Sequence, residues 1–293
     1  MRGVGLFVFL VLGCGEKAST ASGEVGDSVD GPPGWSTVSA GQSHTCGVDP
    51  SGMARCWGND DHGQVSLSIH GLVEIASGLG HSCGLQSTGA VSCWGLDISG
   101  QSTPPSGLMD RITAGSAHTC ALDADGLATC WGADEYGQGT GHSGALDALS
   151  AGGWHNCGIR PSGKAVCWGW DAYGQATAPT DDFVDIDGGG WHTCGLLEDQ
   201  RISCWGDDTS GQLDVPTGTF LQLSAGWHHS CAVDTEGSVH CWGWDEYGQS
   251  TPPSGAFRSV SAGDWHTCGI QEDGEMVCWG LDEDGQSSPP SGR

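Results

Sequence analysis

The chain has 293 residues, with 36 acidic against 9 basic side chains and a formal charge of −27. That balance excludes a nucleic-acid binder, which would neutralise phosphates with clustered Lys and Arg; the lysines here are Lys17 and Lys164, and no basic run exists. Leu, Ile, Val and Phe make up only about 17% of the residues, a content usual for disorder. A folded core must therefore draw on the 15 Cys, 14 Trp and 52 Gly.

At the start, Met1-Arg2-Gly3 carries a positive charge, Val4 to Leu12 is apolar except for Gly5, and Val11-Leu12-Gly13-Cys14 follows. The stretch falls well short of the ~20 apolar residues that span a bilayer, so residues 1–13 read as a cleaved export signal. It resembles a bacterial lipoprotein signal with its lipobox. That resemblance implies acylation of Cys14 and a lipid-anchored place in the cell envelope, and Gly15 after it fits the outer membrane or surface of a diderm bacterium. Residues 14–34 form a small, polar, turn-rich tether after the acylated cysteine.

From residue 35 the chain is periodic. Cys-Trp-Gly begins at 56, 93, 130, 167, 204, 241 and 278; a second cysteine precedes it by ten at 46, 83, 120, 157, 194, 231 and 268, and a histidine lies two before that. Gly-Gln closes each unit, from Gly63-Gln64 to Gly285-Gln286. The repeats run 35–71, 72–108, 109–145, 146–182, 183–219, 220–256 and 257–293. Such a period means one supersecondary unit that must stack on its neighbours to bury a face. In the third copy the strands are expected at Arg111–Ala114, His118–Leu122 and Leu127–Trp131, with turn chemistry at Asp123–Gly126. Three short strands repeated seven times, with no atypical capping repeats, predict an all-β, seven-bladed propeller. The phase of closure stays open: Trp35 to Ala40 either begins the first blade or completes the last beside Pro289-Pro290.

The pattern Ser-Ala-Gly-x-x-His-Thr-Cys, a Gly turn, then Cys-Trp-Gly-x-Asp-x-x-Gly-Gln resembles the regulator-of-chromosome-condensation repeat family, in the compact bacterial form shared with a propeller-type β-lactamase inhibitor. The resemblance implies a seven-bladed propeller with three strands per blade. Its members range from a nucleotide-exchange factor to ubiquitin-ligase modules and the inhibitor, so it implies no single function. Export, acidity and the cysteine pairs set this chain apart from the eukaryotic founder and leave GTPase exchange a remote analogy.

Cys120 and Cys130 bracket a turn centred on Asp125-Gly126, which places them opposite each other on one face of a hairpin. Intra-blade disulfides are therefore expected for Cys46–Cys56, Cys83–Cys93, Cys120–Cys130, Cys157–Cys167, Cys194–Cys204, Cys231–Cys241 and Cys268–Cys278. The glycine six residues after the first cysteine is replaced by Gln200 in the fifth copy, where strain is expected. A structural role is assigned to the recurring residues: half-buried histidines bonded to backbone, Trp57, Trp94, Trp131, Trp168, Trp205, Trp242 and Trp279 filling gaps between blades, and the Asp of Asp-x-x-Gly holding a turn rather than calcium. No metal or cofactor is expected.

Function should lie where repeats differ. Before the repeated histidine the copies read Ser43, Gly80, Ala117, Trp154, Trp191, His228 and Trp265, with Trp227 one further back. After Cys-Trp-Gly they read Asn59, Leu96, Ala133, Trp170, Asp207, Trp244 and Leu281, and the next turn carries Tyr136, Tyr173 and Tyr247. The expected binding arc is Trp154, Trp191, Trp227 and Trp265 with Trp170, Tyr173, Trp244 and Tyr247 beside them. The expected partner of this monomer is a protein, the propeller acting as a binding module of which an enzyme inhibitor is one form; the alternative is a carbohydrate or cell-wall binder. Catalysis is not expected, since no Gly-x-Ser-x-Gly elbow, His-Glu-x-x-His or phosphate loop occurs; a polysaccharide-acting enzyme is the remaining catalytic reading.

Overall fold

A computed structural model describes residues 34–290. Residues 1–33, which include the stretch expected to be an export signal, Cys14 and all but the last residue of the expected tether, lie outside the described residues. In the first repeat, β1 (Thr37–Ala40), β2 (His44–Val48) and β3 (Ala54–Gly58) form one antiparallel sheet in sequence order, and six further triplets follow, ending at β21 (Met276–Gly280). The third copy has strands Arg111–Ala114, His118–Leu122 and Ala128–Gly132, the last shifted by one residue from expectation. The first strands touch one another in a closed circle around a channel of about 380 Å³. The architecture is a seven-bladed β-propeller.

Local chemistry explains the first hairpin, and Asp123 and Asp234 repeat it in the third and sixth repeats. Asp49 accepts backbone N–H bonds from Ser51 and Met53, which folds the chain over, and Gly52 takes a left-handed φ of 80°. Gln200 adopts the same geometry with φ 68°, the only non-glycine among the described residues at positive φ, at a steric cost that the glycines avoid. The turn sets a register in which Cys46 faces Cys56, and each of the seven repeats closes its disulfide across that register. Cys46 and its six equivalents are completely buried.

The core between blades combines those sulfurs with aromatic and aliphatic residues from each repeat. Trp94 packs with Cys46, Val48, Leu72 and Ile75, across the gap between blades 1 and 2. Trp168 and Trp279 leave part of the ring at the surface, unlike the five other tryptophans of Cys-Trp-Gly. Trp168 donates to Thr140 O, whereas Gln138 O accepts from Asn156 Nδ2. A further buried position opens every repeat: Trp35, Leu72, Met109, Leu146, Phe183, Phe220 and Phe257. A small residue faces it, since a Cβ on Gly195 would stand 2.3 Å from the Phe183 ring.

The histidines differ from expectation. They are fully buried, and each bonds to the next blade rather than to backbone: His44 Nε2 meets Ser82 Oγ at 2.8 Å, His118 Nε2 donates to Asn156 Oδ1 at 2.9 Å, and Thr45 bonds His266 across the closure at 2.6 Å. Thr45 in turn donates to Gln286 O, which also accepts from Trp57 Nε1. The blade interface, short of aliphatic area, is thus riveted by a circumferential polar relay. Burial holds the seven imidazoles at about 3 to 4, well below the ordinary histidine value, so they are neutral at pH 7.

Closure has a definite phase. Thr37–Ala40 pairs with β2 and so belongs to the first blade. Trp35 N–H donates to Gly274 O, Ala40 N–H to Ser261 Oγ, and the Arg258 guanidinium to Trp35 O, joining blade 1 to blade 7.

Candidate functional site

In each repeat the loop between the first and second strands and the turn after the third emerge at the same rim, because the three strands alternate in direction. The residues that vary between repeats occupy that rim. There the aromatic side chains of repeats 3 to 7 form one continuous arc. Tyr136 lies 6.1 Å from Trp170, which contacts Trp154 (6.0 Å), Tyr173 (5.5 Å) and Trp191 (6.2 Å). Trp191 stacks on Tyr173 at 5.7 Å and meets Trp227 at 5.9 Å. The path continues through His228 to Trp244 (5.4 Å) and Trp265 (5.9 Å), and from Trp265 to Tyr247 (6.1 Å). Edge-to-face and offset contacts at these separations are favourable pairings for aromatic quadrupoles.

The eight residues singled out in the sequence are thus placed in one patch, and the structure adds two more. Tyr136 extends one end, half exposed like Tyr173 and Tyr247. His228 occupies the middle, 5.1 Å from Trp191, and is only 8% exposed. The sequence signal for it was present, since His228 stands where Trp154, Trp191 and Trp265 stand in their repeats, but the adjacent His229 masks it as a doubling of the scaffold histidine.

Trp227 shows how the backbone admits the arc. It leans from repeat 6 across Gly190 of repeat 5 to within 5.4 Å of Trp154 in repeat 4. A Cβ on Gly190 would approach its ring to 2.8 Å, so any other residue at 190 would expel the indole. Its neighbours in the channel wall are Gly153, Gly190 and Asp264, the last pushed up to about 7 by burial.

Asp207 replaces the tryptophan found at Trp170 and Trp244. It is 4% exposed, and Thr209 Oγ1 and Gln212 Nε2 both donate to its Oδ2 at 2.7 Å. Desolvation lowers the His228 pKa, with the Asp207 carboxylate opposing that shift, and leaves the imidazole neutral at pH 7. Trp191 Nε1 and His228 Nδ1 are buried without a hydrogen-bond partner.

The carboxylates of Asp-x-x-Gly are engaged within their own turns: Asp171 Oδ1 accepts Ala176 N–H and Oδ2 accepts the Thr177 hydroxyl, and Asp245 repeats the pattern with Ser250 and Thr251. Among the described residues, no group of three or more His, Cys, Asp or Glu could hold a metal ion.

The repeats match known proteins. The regulator of chromosome condensation (RCC1) repeat matches at residues 35–64, 72–101, 110–138, 147–175, 183–212, 220–249 and 257–286. No curated protein matches the chain. Among solved structures, the ectodomain of the Physcomitrella patens receptor kinase CR4 is 27% identical with a TM-score of 0.73, covering 85% of this chain and 74% of that one. The CRINKLY WD40 ectodomain of the Arabidopsis thaliana receptor kinase ACR4 is 26% identical with a TM-score of 0.72, covering 85% and 98%. Prp20p from Saccharomyces cerevisiae, described with its binding properties to Gsp1p and histones, shares the fold at 17% identity and a TM-score of 0.67, covering 78% and 80%. With seven matched repeats closing into seven blades, the chain belongs to the regulator of chromosome condensation (RCC1) repeat family.

Proposed function

We propose that the protein is an exported, lipid-anchored propeller that binds another protein through its aromatic arc. The observation that supports this reading is a contrast between repeats of one period. Repeats 1 and 2 form their blades with Ser43 and Gly80 where repeats 4, 5 and 7 carry Trp154, Trp191 and Trp265, so blade geometry does not require the larger rings. Aromatic anchors gathered at a rim are what protein interfaces use for most of their affinity. An enzyme inhibitor is one form such a module takes.

The test separates interface from scaffold. Trp191→Ala should weaken capture of the partner by about 30-fold or more, the effect of losing a central anchor of about 2 kcal/mol, with a small change in melting temperature. Trp205→Ala should do the reverse, because Trp205 is buried among Cys157, Ile159 and Phe183, and its loss costs about 3 to 5 kcal/mol of folding stability. Equal loss of stability in both variants sinks the reading; a glycan array that captures the protein through Trp191 would replace it with carbohydrate binding.

Seven disulfides fit an oxidising compartment. No helix among the described residues is long and apolar enough to cross a membrane. The lipobox-like Val11-Leu12-Gly13-Cys14 supports anchoring by acylation in the cell envelope. Cys14→Ala should abolish incorporation of labelled palmitate and leave the signal uncleaved. Label retained in the alanine variant would count against the anchor.

A further inference from the structure

We infer that the centre of the aromatic arc, Trp191, Asp207 and His228, receives an arginine-bearing loop of the partner protein. This rests on the reading of the arc as the docking face, and two separate observations carry it further.

The first is segregation of charge. The six described Arg and Lys residues, Arg55, Arg111, Arg160, Lys164, Arg201 and Arg258, lie at or near the start of a first or third strand or in the turn between second and third strands, which is the rim opposite the arc. The arc's rim holds only acids among its charged residues, including Asp134-Glu135, Asp245-Glu246 and Asp282-Glu283-Asp284. A cationic surface is steered to that rim and an anionic one repelled.

The second is unpaired buried chemistry. Most buried polar atoms without partners recur around the ring, as the Nδ1 of the scaffold histidines and the Nε2 of the Gly-Gln glutamines. Three do not recur: Ser77 Oγ, on the channel wall outside the arc, and Trp191 Nε1 and His228 Nδ1, which both sit in the arc, 5.1 Å apart between ring centroids. Both bonds that the protein gives Asp207 fall on Oδ2. Buried polar groups in folded proteins nearly always find partners, so a ligand is the natural source of these. A guanidinium answers the set. Its plane stacks on indole faces, its fan of N–H donors suits a carboxylate and an imidazole nitrogen, and the peptide carbonyl beside it accepts from the indole N–H. Lysine has a compact, strongly hydrated charge and fits less well. A neutral glycan gains nothing from the one-sided charge.

The experiment titrates the full-length protein with short Gly/Ser peptides bearing paired arginine, lysine or citrulline, followed by tryptophan fluorescence. The arginine peptide should bind most tightly and lose affinity with added salt, and citrulline, its neutral isostere, should bind about tenfold more weakly or worse. Asp207→Asn should cost about tenfold for arginine alone. The variant keeps the local turn, since Asn59 holds the same position in repeat 1 and accepts from Gln64 Nε2 at 2.9 Å. Trp191→Phe, which keeps an aromatic face but removes the N–H and the second ring, should weaken binding too, whereas Asp61→Asn, a carboxylate on the same rim outside the arc, should not. Equal affinity for arginine and citrulline, no arginine binding, or equal loss from Asp61→Asn and Asp207→Asn each overturns the inference. If the partner binds through Trp191 but presents no cation there, the inference falls and the docking reading stands; if Trp191→Ala leaves capture of the partner intact, the docking reading itself falls.

Discussion

Reduction of the disulfides at neutral pH should unfold the propeller at a temperature where the oxidised protein is stable. Each bond closes a loop of ten residues' separation, worth about 2.5 to 3 kcal/mol in the chain-entropy model. Seven together come to about 20 kcal/mol, more than the net stability of most domains at about 5 to 15 kcal/mol. Aliphatic burial cannot replace them, because the clusters between blades are small: the one joining blades 6 and 7 has Cys231, Val233 and Val260 as its buried members. Far-UV circular dichroism and thermal melts with and without reductant check this. A single pair replaced, as in Cys194→Ala with Cys204→Ala, should lower stability by about 2 to 4 kcal/mol while keeping the fold. A fully reduced protein, its thiols counted by titration, that melts where the oxidised protein does would refute the ledger.

The cysteine pairs were legible in the sequence because two local rules suffice for them: side chains alternate along a strand, and the four-residue turn between the second and third strands, closed by Gly in six repeats, fixes what lies opposite. The blade count followed from an uninterrupted period. Features that depend on a neighbouring repeat were not legible. The partner of His44 is Ser82, 38 residues away, and backbone bonding was expected only because the hydroxyl that meets each imidazole comes from the next blade. The buried position opened by Trp35 was hidden by its changing identity, Trp, Leu, Met or Phe, although the Gly or Ala opposite it was constant in size. In the arc, the spacing identified which rings share a rim. It could not show that Trp227 reaches two blades across, since that depends on the space left by Gly190, nor that His228 lies at the centre.

Acid should destabilise the protein between pH 7 and 5, through its buried histidines. The seven scaffold histidines have folded values of about 3 to 4 against an ordinary 6.5, because burial disfavours the imidazolium. Their folded pKa lies below the unfolded one, so the unfolded chain binds more protons as pH falls through 6.5, and stability is lost from there down to about 4. At pH 5 each contributes about 2 kcal/mol in favour of unfolding, about 14 kcal/mol for seven. Four carboxylates that burial raises, Glu74, Asp185, Asp187 and Asp264, act the other way. Asp187, pushed up to about 6, and Asp264, at about 7, are raised chiefly by burial, and protonating them on going from pH 7 to 5 returns about 4 kcal/mol. The histidines win. Melting temperature should therefore fall steeply between pH 7 and 5 with every disulfide intact, and unfolding at pH 5 should take up several protons, measurable as a calorimetric dependence on buffer ionisation heat. His155→Gln, which removes a titrating group while keeping a side chain able to donate toward Thr193, should reduce that uptake by about one proton. A melting temperature level from pH 7 to 5 would mean that the imidazoles are not held neutral by the blades, and the circumferential relay would lose its role in joining them.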